Sequence, residues 1–427
     1  MEKMAILFSG QGSQYVGMGK SIYKEFSVAR KIFEEANDIL NFKLSDLCFD
    51  GSILELNRIR NMLPAILTVS IATFKVYMEQ VGIEPKFLAG HSLGEYSALV
   101  CSEAIKFEDA LKLVRMRSIL AEKENDIEDG TMTIVDEISV DIVKEVCSRL
   151  SGNGKLASIS CFNSKNQVAI SGHKDIVTKV EDSLLELGAK VTPLFTGVAM
   201  HSPLMSRAAT MYKEQLKQYS FNKPKYKVIS NINALPYLSQ QCIVDNLTEH
   251  MIRPVLWNDT IQYLKNENTR VGIEIGPQSI LKNLIKDSNS SVKMFSYNQK
   301  SDKDLLVNFW KSGKNDKSIS FVSRCLAMAV CTQNKNWNED KYKEGVIEPY
   351  NRIGEIQSKL DETGELPLQE EMNESVELLY KILTTKNVPI EEQIYRFNMI
   401  FKETNTQDIF QEFIKRRYGI EYGKSKV

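Results

Sequence analysis

The stretch Phe87-Leu88-Ala89-Gly90-His91-Ser92-Leu93-Gly94-Glu95 decides the fold. Phe87-Leu88-Ala89 is a short apolar run that stops at a glycine, and a helical pattern starts at Gly94. A strand that passes into a helix through Gly-x-Ser-x-Gly makes a tight, strained turn, which the glycines permit. That turn lifts the serine hydroxyl out at the carboxyl end of a sheet. It also leaves Ser92 at a helix N-terminus, where free N–H groups and the helix dipole favour developing negative charge. The stretch therefore predicts an α/β sheet with Ser92 as a nucleophile at its edge.

Working outward, Met4–Ser9 reads as a buried strand running into Gly10-Gln11-Gly12-Ser13-Gln14. Pro64–Val81 and Phe107–Glu122 carry apolar residues at helical spacing. Strands alternating with helices predict a parallel sheet. The rhythm changes after residue 130. Thr131–Val135 reads as a strand, Ser139–Leu150 as a helix with an N-cap serine, and Lys155–Phe162 and Gln167–Ser171 as two strands. His173–Gly188 follows as a helix and Val191–Thr196 as a strand. The order βαββαβ predicts a small ferredoxin-like subdomain. The α/β pattern then returns: a helix from Pro203, a helix near Val244–Ile252, and strands at Val228–Ile232, Val271–Ile275 and Val292–Ser296. Past Lys300 the pattern is helical with polar interruptions. The expected domains are 1–127 with 197–300 as an α/β core, 128–196 as an inserted subdomain, and 301–427 as an all-α C-terminal extension.

The 427 residues are 43% apolar and 26% charged, which suits a globular chain with a substantial core and excludes a disordered one. A net charge of −1 excludes a global basic field for nucleic acid. Asp361–Glu377 holds seven acids and no base, and reads as a solvated helix face. The seven cysteines are scattered without a CxxC pair, as expected of free, buried thiols in a reducing cytoplasm. The four histidines form no HExxH or similar pair, so no metal site is expected. The N-terminal apolar run is too short for a signal peptide, and no apolar run approaches the roughly 18 residues of a membrane span. A cytoplasmic protein without a membrane partner is expected.

A serine needs a base. His201 lies in Val198-Ala199-Met200-His201-Ser202-Pro203, where Ser202 reads as an N-cap and Pro203 as the first helical residue. His201 is thus a loop residue before a helix, able to reach a strand end; a structural histidine fits that place as well. His91, on the elbow itself, is the weaker candidate. Arg117 falls on the apolar stripe of its helix, with Ala110, Leu113, Val114, Leu120 and Ala121. A guanidinium there is costly unless paired. It serves either a structural salt bridge or a substrate carboxylate, which its planar fork fits better than lysine would.

Gly10-Gln11-Gly12-Ser13-Gln14, Gly90-His91-Ser92-Leu93-Gly94-Glu95, Met116-Arg117, His201-Ser202 and Glu274-Ile275-Gly276-Pro277 together resemble malonyl-CoA:acyl carrier protein transacylases and the acyltransferases of polyketide synthases. The resemblance covers about residues 1–300 and leaves out the last ~120. It implies an α/β-hydrolase-like large subdomain with an inserted ferredoxin-like small subdomain. It further implies that Ser92 attacks an acyl-CoA thioester with His201 as base, oriented by a backbone carbonyl rather than an acid. The N–H groups of Gln11 and Leu93 would form the oxyanion hole, worth about 3–4 kcal/mol. Arg117 would hold the malonyl carboxylate, and a carrier protein's phosphopantetheine thiol would collect the acyl group. No permanently bound cofactor is implied, coenzyme A entering as the substrate thioester. A free-standing enzyme of this type would work in trans for a polyketide synthase.

Three residues depart from the family pattern. Met200 replaces a phenylalanine, Leu63 a glutamine before Pro64, and His250 a glutamine four before Pro254. All three fall at positions resembling substrate-binding wall positions. A flexible Met and an apolar Leu could admit another acyl group. The altered wall also raises a second reading, an acyl hydrolase that releases acyl groups from carrier proteins with the same Ser-His dyad. A docking component for a synthase, with vestigial chemistry, is a third.

Overall fold

A computed structural model describes residues 3–194, 197–286, 292–363, 367–404 and 406–419. The chain divides into two compact units, Met1–Leu305 and Leu306–Val427. Among its described residues the first contains nine strands: β1 (Lys3–Phe8), β2 (Phe87–Gly90), β3 (Gly130–Asp136), β4 (Ala157–Phe162), β5 (Gln167–His173), β6 (Lys190–Pro193), β7 (Lys227–Ile229), β8 (Thr269–Ile275) and β9 (Lys293–Ser296).

Five of them form a parallel sheet in the order β7-β2-β1-β8-β9. Ala5, Ile6, Leu7 and Phe8 of β1 are all buried, as expected of a central strand covered on both faces. Phe8 stands level with Gly90 on one side and Ile275 on the other. Three strands therefore end together, and the elbow projects from that shared edge. The α/β core expected from the elbow is present, as is the helical C-terminal region.

The other four strands form an antiparallel sheet, β4-β5-β3-β6. With helices Val140–Leu150 and Lys174–Glu186 they follow the chain order βαββαβ. Val135, Val143, Ile170, Val177 and Leu184 fill the space between this sheet and its helices. Ser139 caps its helix by accepting the Asp141 N–H at 3.3 Å. The strand expected over Val191–Thr196 ends at Pro193, and residues 195–196 lie outside the described residues.

Several expectations need correction. Ser202 does not cap: its hydroxyl donates backwards to the Ala199 carbonyl at 2.7 Å, and Pro203 opens a 3₁₀ turn instead of an α-helix. The helix Ile59–Gln80 does have the length and apolar content to cross a membrane, because Thr68, Ser70 and Thr73 interrupt its apolar run but barely lower its mean hydropathy. Its residues are mostly buried within the first unit, so it is a core helix. All seven cysteines are free, but Cys331 is exposed and Cys242 half-buried.

The second unit is helical. Glu348–Thr363, Gln369–Thr385, Ile390–Thr404 and Gln407–Tyr418 enclose an apolar core. Phe401 stacks on Phe410 at 5.0 Å between ring centroids, and Phe321 stacks on Phe410 at 4.8 Å. The acidic run is more than a solvated face. Glu371 accepts the Leu368 N–H at 2.8 Å at its helix's start and pairs with Lys359 at 2.9 Å. Glu374 pairs with Arg352 at 2.7 Å, and Glu377 with Arg416 and Arg417. Glu365, of the same run, lies outside the described residues.

Candidate active site

The elbow closes because two residues lack side chains. A Cβ on Gly90 would lie 1.9 Å from the Gly94 carbonyl carbon, and one on Gly94 would lie 2.1 Å from the Phe8 oxygen. Between them Ser92 is held at φ +50°, a left-handed conformation unusual outside glycine. Asn231, just past β7, fixes the strained turn from outside. Its Oδ1 accepts the Ser92 N–H at 2.8 Å, and its Nδ2 donates to the Gly90 carbonyl at 2.7 Å.

Ser92 Oγ lies 2.7 Å from His201 Nε2. His201 Nδ1 lies 2.6 Å from the His250 carbonyl oxygen. That oxygen can only accept, so Nδ1 carries the proton and Nε2 is left to accept from the serine hydroxyl. Burial, then the nearby Arg117 charge, hold the His201 imidazole well below its ordinary pKa, which keeps it neutral and free to accept a proton. His201 itself sits at φ +60°, with its N–H bonded to the Met251 carbonyl at 2.8 Å. The small sheet braces this loop, since Ser171 Oγ donates to the Met200 carbonyl at 3.0 Å. His91 is engaged elsewhere: its Nε2 is 2.7 Å from Asn163 Oδ1 and its ring packs on Trp257.

Gln11 lies on the turn after β1 that abuts the elbow, where a Cβ on Gly10 would meet the His91 oxygen at 2.3 Å. Among the described residues no hydrogen bond engages the backbone N–H of Gln11 or Leu93. Arg117, on helix Phe107–Glu128, is 1% exposed, with its guanidinium 5.5 Å from the Tyr96 ring centroid. Among the described residues its Nε and Nη2 have no hydrogen-bond partner and no salt bridge holds it. Leu63 is buried on Ile59–Gln80, the helix packed along the Arg117 helix and tied to it by Arg60–Glu122 at 2.6 Å. No contact brings Leu63 to the dyad among the described interactions. Met200 is buried and adjoins His201 in the chain. The His250 ring is wholly buried and lies 4.8 Å from the His201 ring.

Sequence reading missed the roles of Asn231, Tyr237 and Glu95. The Glu95 Oε1 accepts from the Tyr237 hydroxyl at 2.6 Å and the Asn231 N–H at 3.3 Å. Its Oε2 is 3.6 Å from His250 Nδ1. Burial pushes the Glu95 carboxyl up to about 7, and burial, followed by the His201 and Arg117 charges, pushes His250 well down. Both shifts oppose ionisation, so the contact is weaker than its ion-pair distance implies. The sequence placed Asn231 inside the strand expected at Val228–Ile232, whereas β7 ends at Ile229 and leaves Asn231 to turn onto the elbow. Glu274, from the Glu-Ile-Gly-Pro motif, accepts the Leu281 and Lys282 N–H groups at 3.0 and 2.8 Å, holding the start of helix Ile280–Lys286. Among the described residues no group of three or more His, Cys, Asp or Glu is placed to hold a metal ion.

With Ser92 raised above the sheet edge and His201 positioned to take its proton, fold and site define an α/β serine enzyme of the acyl-transferring class. The chain belongs to the malonyl CoA-acyl carrier protein transacylase family, and its residues 6–333 match the acyl transferase domain. It is 34% identical over 396 residues to a malonyl CoA-acyl carrier protein transacylase of Bacillus subtilis, covering 92% of this chain and 99% of the relative. A second such protein, from Bacillus subtilis strain 168, is 36% identical and covers 74% of this chain and 100% of its own. Among solved structures, a malonyl-transacylase complexed with a type II polyketide synthase acyl-carrier protein aligns with TM-score 0.68 and 32% identity, covering 70% of this chain and 97% of that one. The first relative corrects the expected extent of the resemblance. It leaves 8% of this chain unmatched, too little to hold residues 306–427, so the helical unit is partly shared.

Proposed function

We propose that this chain moves a malonyl group from malonyl-CoA to the phosphopantetheine thiol of an acyl carrier protein. The observation that carries the reading is the Ser92–His201 hydrogen bond beside a buried arginine whose Nε and Nη2 are unpartnered. His201 takes the Ser92 proton as Oγ attacks the thioester carbonyl. The oxyanion develops toward the N–H groups of Gln11, on the turn beside the elbow, and Leu93, which carry no other bond among the described residues. The carbon–sulfur bond breaks, and the departing sulfur takes the proton from His201 and leaves as the thiol. The carrier thiol then attacks the acyl-serine by the reverse sequence, giving ping-pong kinetics. Arg117 selects the substrate, because a carboxylate supplies the anion that its buried guanidinium lacks.

Coenzyme A is a substrate here and no permanently bound cofactor takes part. We assign residues 1–127 with 197–300 to the acyltransferase core, 128–196 to its inserted subdomain and 301–427 to a helical extension. The reaction belongs in the cytoplasm, where the free thiols stay reduced, and it serves a polyketide synthase in trans.

The test is incubation with malonyl-CoA and a holo carrier protein, read by intact mass. The carrier should gain one malonyl group, and Ser92→Ala should cut that rate by at least about 10³-fold. An unloaded carrier would sink the proposal, and release of free malonate in its place would turn the assignment to hydrolysis.

A further inference from the structure

Malonyl transfer puts a second anion into a buried site that already holds one. Arg117 is permanently ionised and buried. Glu95 is 1% exposed; burial pushes its carboxyl up to about 7, the Arg117 charge acts against that shift, and above pH 7 the carboxylate form prevails. Above pH 7 these two charges balance in the substrate-free protein. When a malonyl carboxylate docks on Arg117, the site carries two carboxylates and one guanidinium. In a low-dielectric interior that excess negative charge is costly, and the usual relief is protonation of one acid.

We infer that Glu95 and His250 form a proton-holding pair that takes up one proton as the malonyl carboxylate docks on Arg117. The inference rests on the malonyl-transfer reading. Its basis is geometric. Among the described residues Glu95 Oε2 has no hydrogen-bond partner, and neither ring nitrogen of His250 has one; Glu95 Oε2 lies 3.6 Å from His250 Nδ1. These orphaned atoms are all buried, a costly state unless something completes them. A proton placed between Glu95 and His250 completes two of them at once.

The surroundings define where the proton rests. Tyr237 donates to Glu95 from the loop after β7, and Asn231 donates its backbone N–H. Tyr96 stacks on His250 at 6.5 Å and shares a hydrogen bond with Tyr212 from helix Ser206–Leu216 at 2.9 Å. His201, Arg117 and His91 are the remaining charged or titratable groups that act on His250, and their influence opposes an imidazolium. The pair titrates as one unit, with its proton on the Glu95 side. Glu95 and His250 are positioning residues. They set the charge of the pocket, while Ser92 and His201 carry the bond changes.

Acylation itself consumes no proton: the Ser92 proton passes through His201 to the departing thiol. Proton uptake therefore reports the pair alone. Stoichiometric malonyl-CoA should be mixed with the enzyme in weak buffer containing a pH indicator, with the acyl-serine counted by mass. At pH 7.5, below the usual thiol pKa of about 8.5, uptake should lie between about one half and one proton per acyl-serine. At pH 5.5, where Glu95 is already protonated, it should fall close to zero. In Glu95→Gln, whose amide oxygen can still accept from Tyr237, it should be absent at both. Full malonyl-enzyme without uptake at pH 7.5, or uptake that is equal at the two pH values, overturns the inference even if the variant does not fold. Uptake that persists in Glu95→Gln does so too. If no malonyl-enzyme forms, the transfer reading itself has failed.

Discussion

The two units of this chain handle polar groups in opposite ways. The first buries Arg117, Glu95, His201 and His250 close together, with several of their polar atoms unpartnered, and strains the backbone at Ser92 and His201. The second fills its core with Phe321, Phe397, Phe401 and Phe410 and pairs its charges near the surface, as in Arg352–Glu374 and Lys359–Glu371. Unpartnered buried groups and positive φ angles destabilise a fold and persist where they serve chemistry. The contrast teaches that reactivity is concentrated in residues 1–305, while the helical unit is organised for stability.

That contrast can be broken by experiment. The largest effect expected is on stability. Phe401→Ala removes a fully buried ring stacked against Phe410 and should cost about 3–5 kcal/mol of the helical unit's stability, read by urea denaturation. The burst of malonyl-enzyme should survive below the new midpoint. Loss of the burst in the folded variant would mean that chemistry depends on the second unit's core.

Arg117→Ala should lower malonyl-enzyme formation roughly 10²-fold, by removing a charge-assisted carboxylate contact. Thermal stability should hold, since Arg117 has no hydrogen-bonded partner to lose among the described residues and Glu95 can take up a proton when the charge is gone. A fall in Tm with unchanged malonyl loading would reveal a structural arginine instead. The acid limb comes next. His201 must be neutral to act as base, and its pKa is held well below the ordinary value. Acylation should therefore remain above half-maximal as pH falls through about 6.5, where a free imidazole is half-charged. A midpoint at or above that value would contradict the burial of the dyad. The smallest effect is expected from Ser171→Ala, which frees the Met200 carbonyl from the small sheet. Its cost is about 1 kcal/mol, seen as a several-fold drop in acylation. No change would show that the small sheet does not brace the His201 loop.

Much of this was legible in the residues. The Gly90–Gly94 elbow announced a strand-to-helix turn because only glycine tolerates the approach of Gly94 and Phe8 backbone atoms found there. The βαββαβ order of 130–193 was readable because each element is short and half-buried, so its periodicity shows. Ser202 misled because a serine before proline normally caps, whereas here its hydroxyl closes back on Ala199. The paired acids of Gln369–Thr385 misled because their partners come from distant positions, such as Arg352 and Arg416.

What the sequence by itself determined is the chemistry available: a serine on a strained turn, a loop histidine, and an arginine on an apolar stripe. Local backbone sterics and side-chain type suffice for those. What only the tertiary structure decided is their relation. Residues 109 positions apart meet as Ser92 and His201, and Glu95 faces His250 across 3.6 Å. Whether Arg117 was paired also waited on the fold, because burial and partnership depend on which elements pack together, and sequence spacing does not encode that.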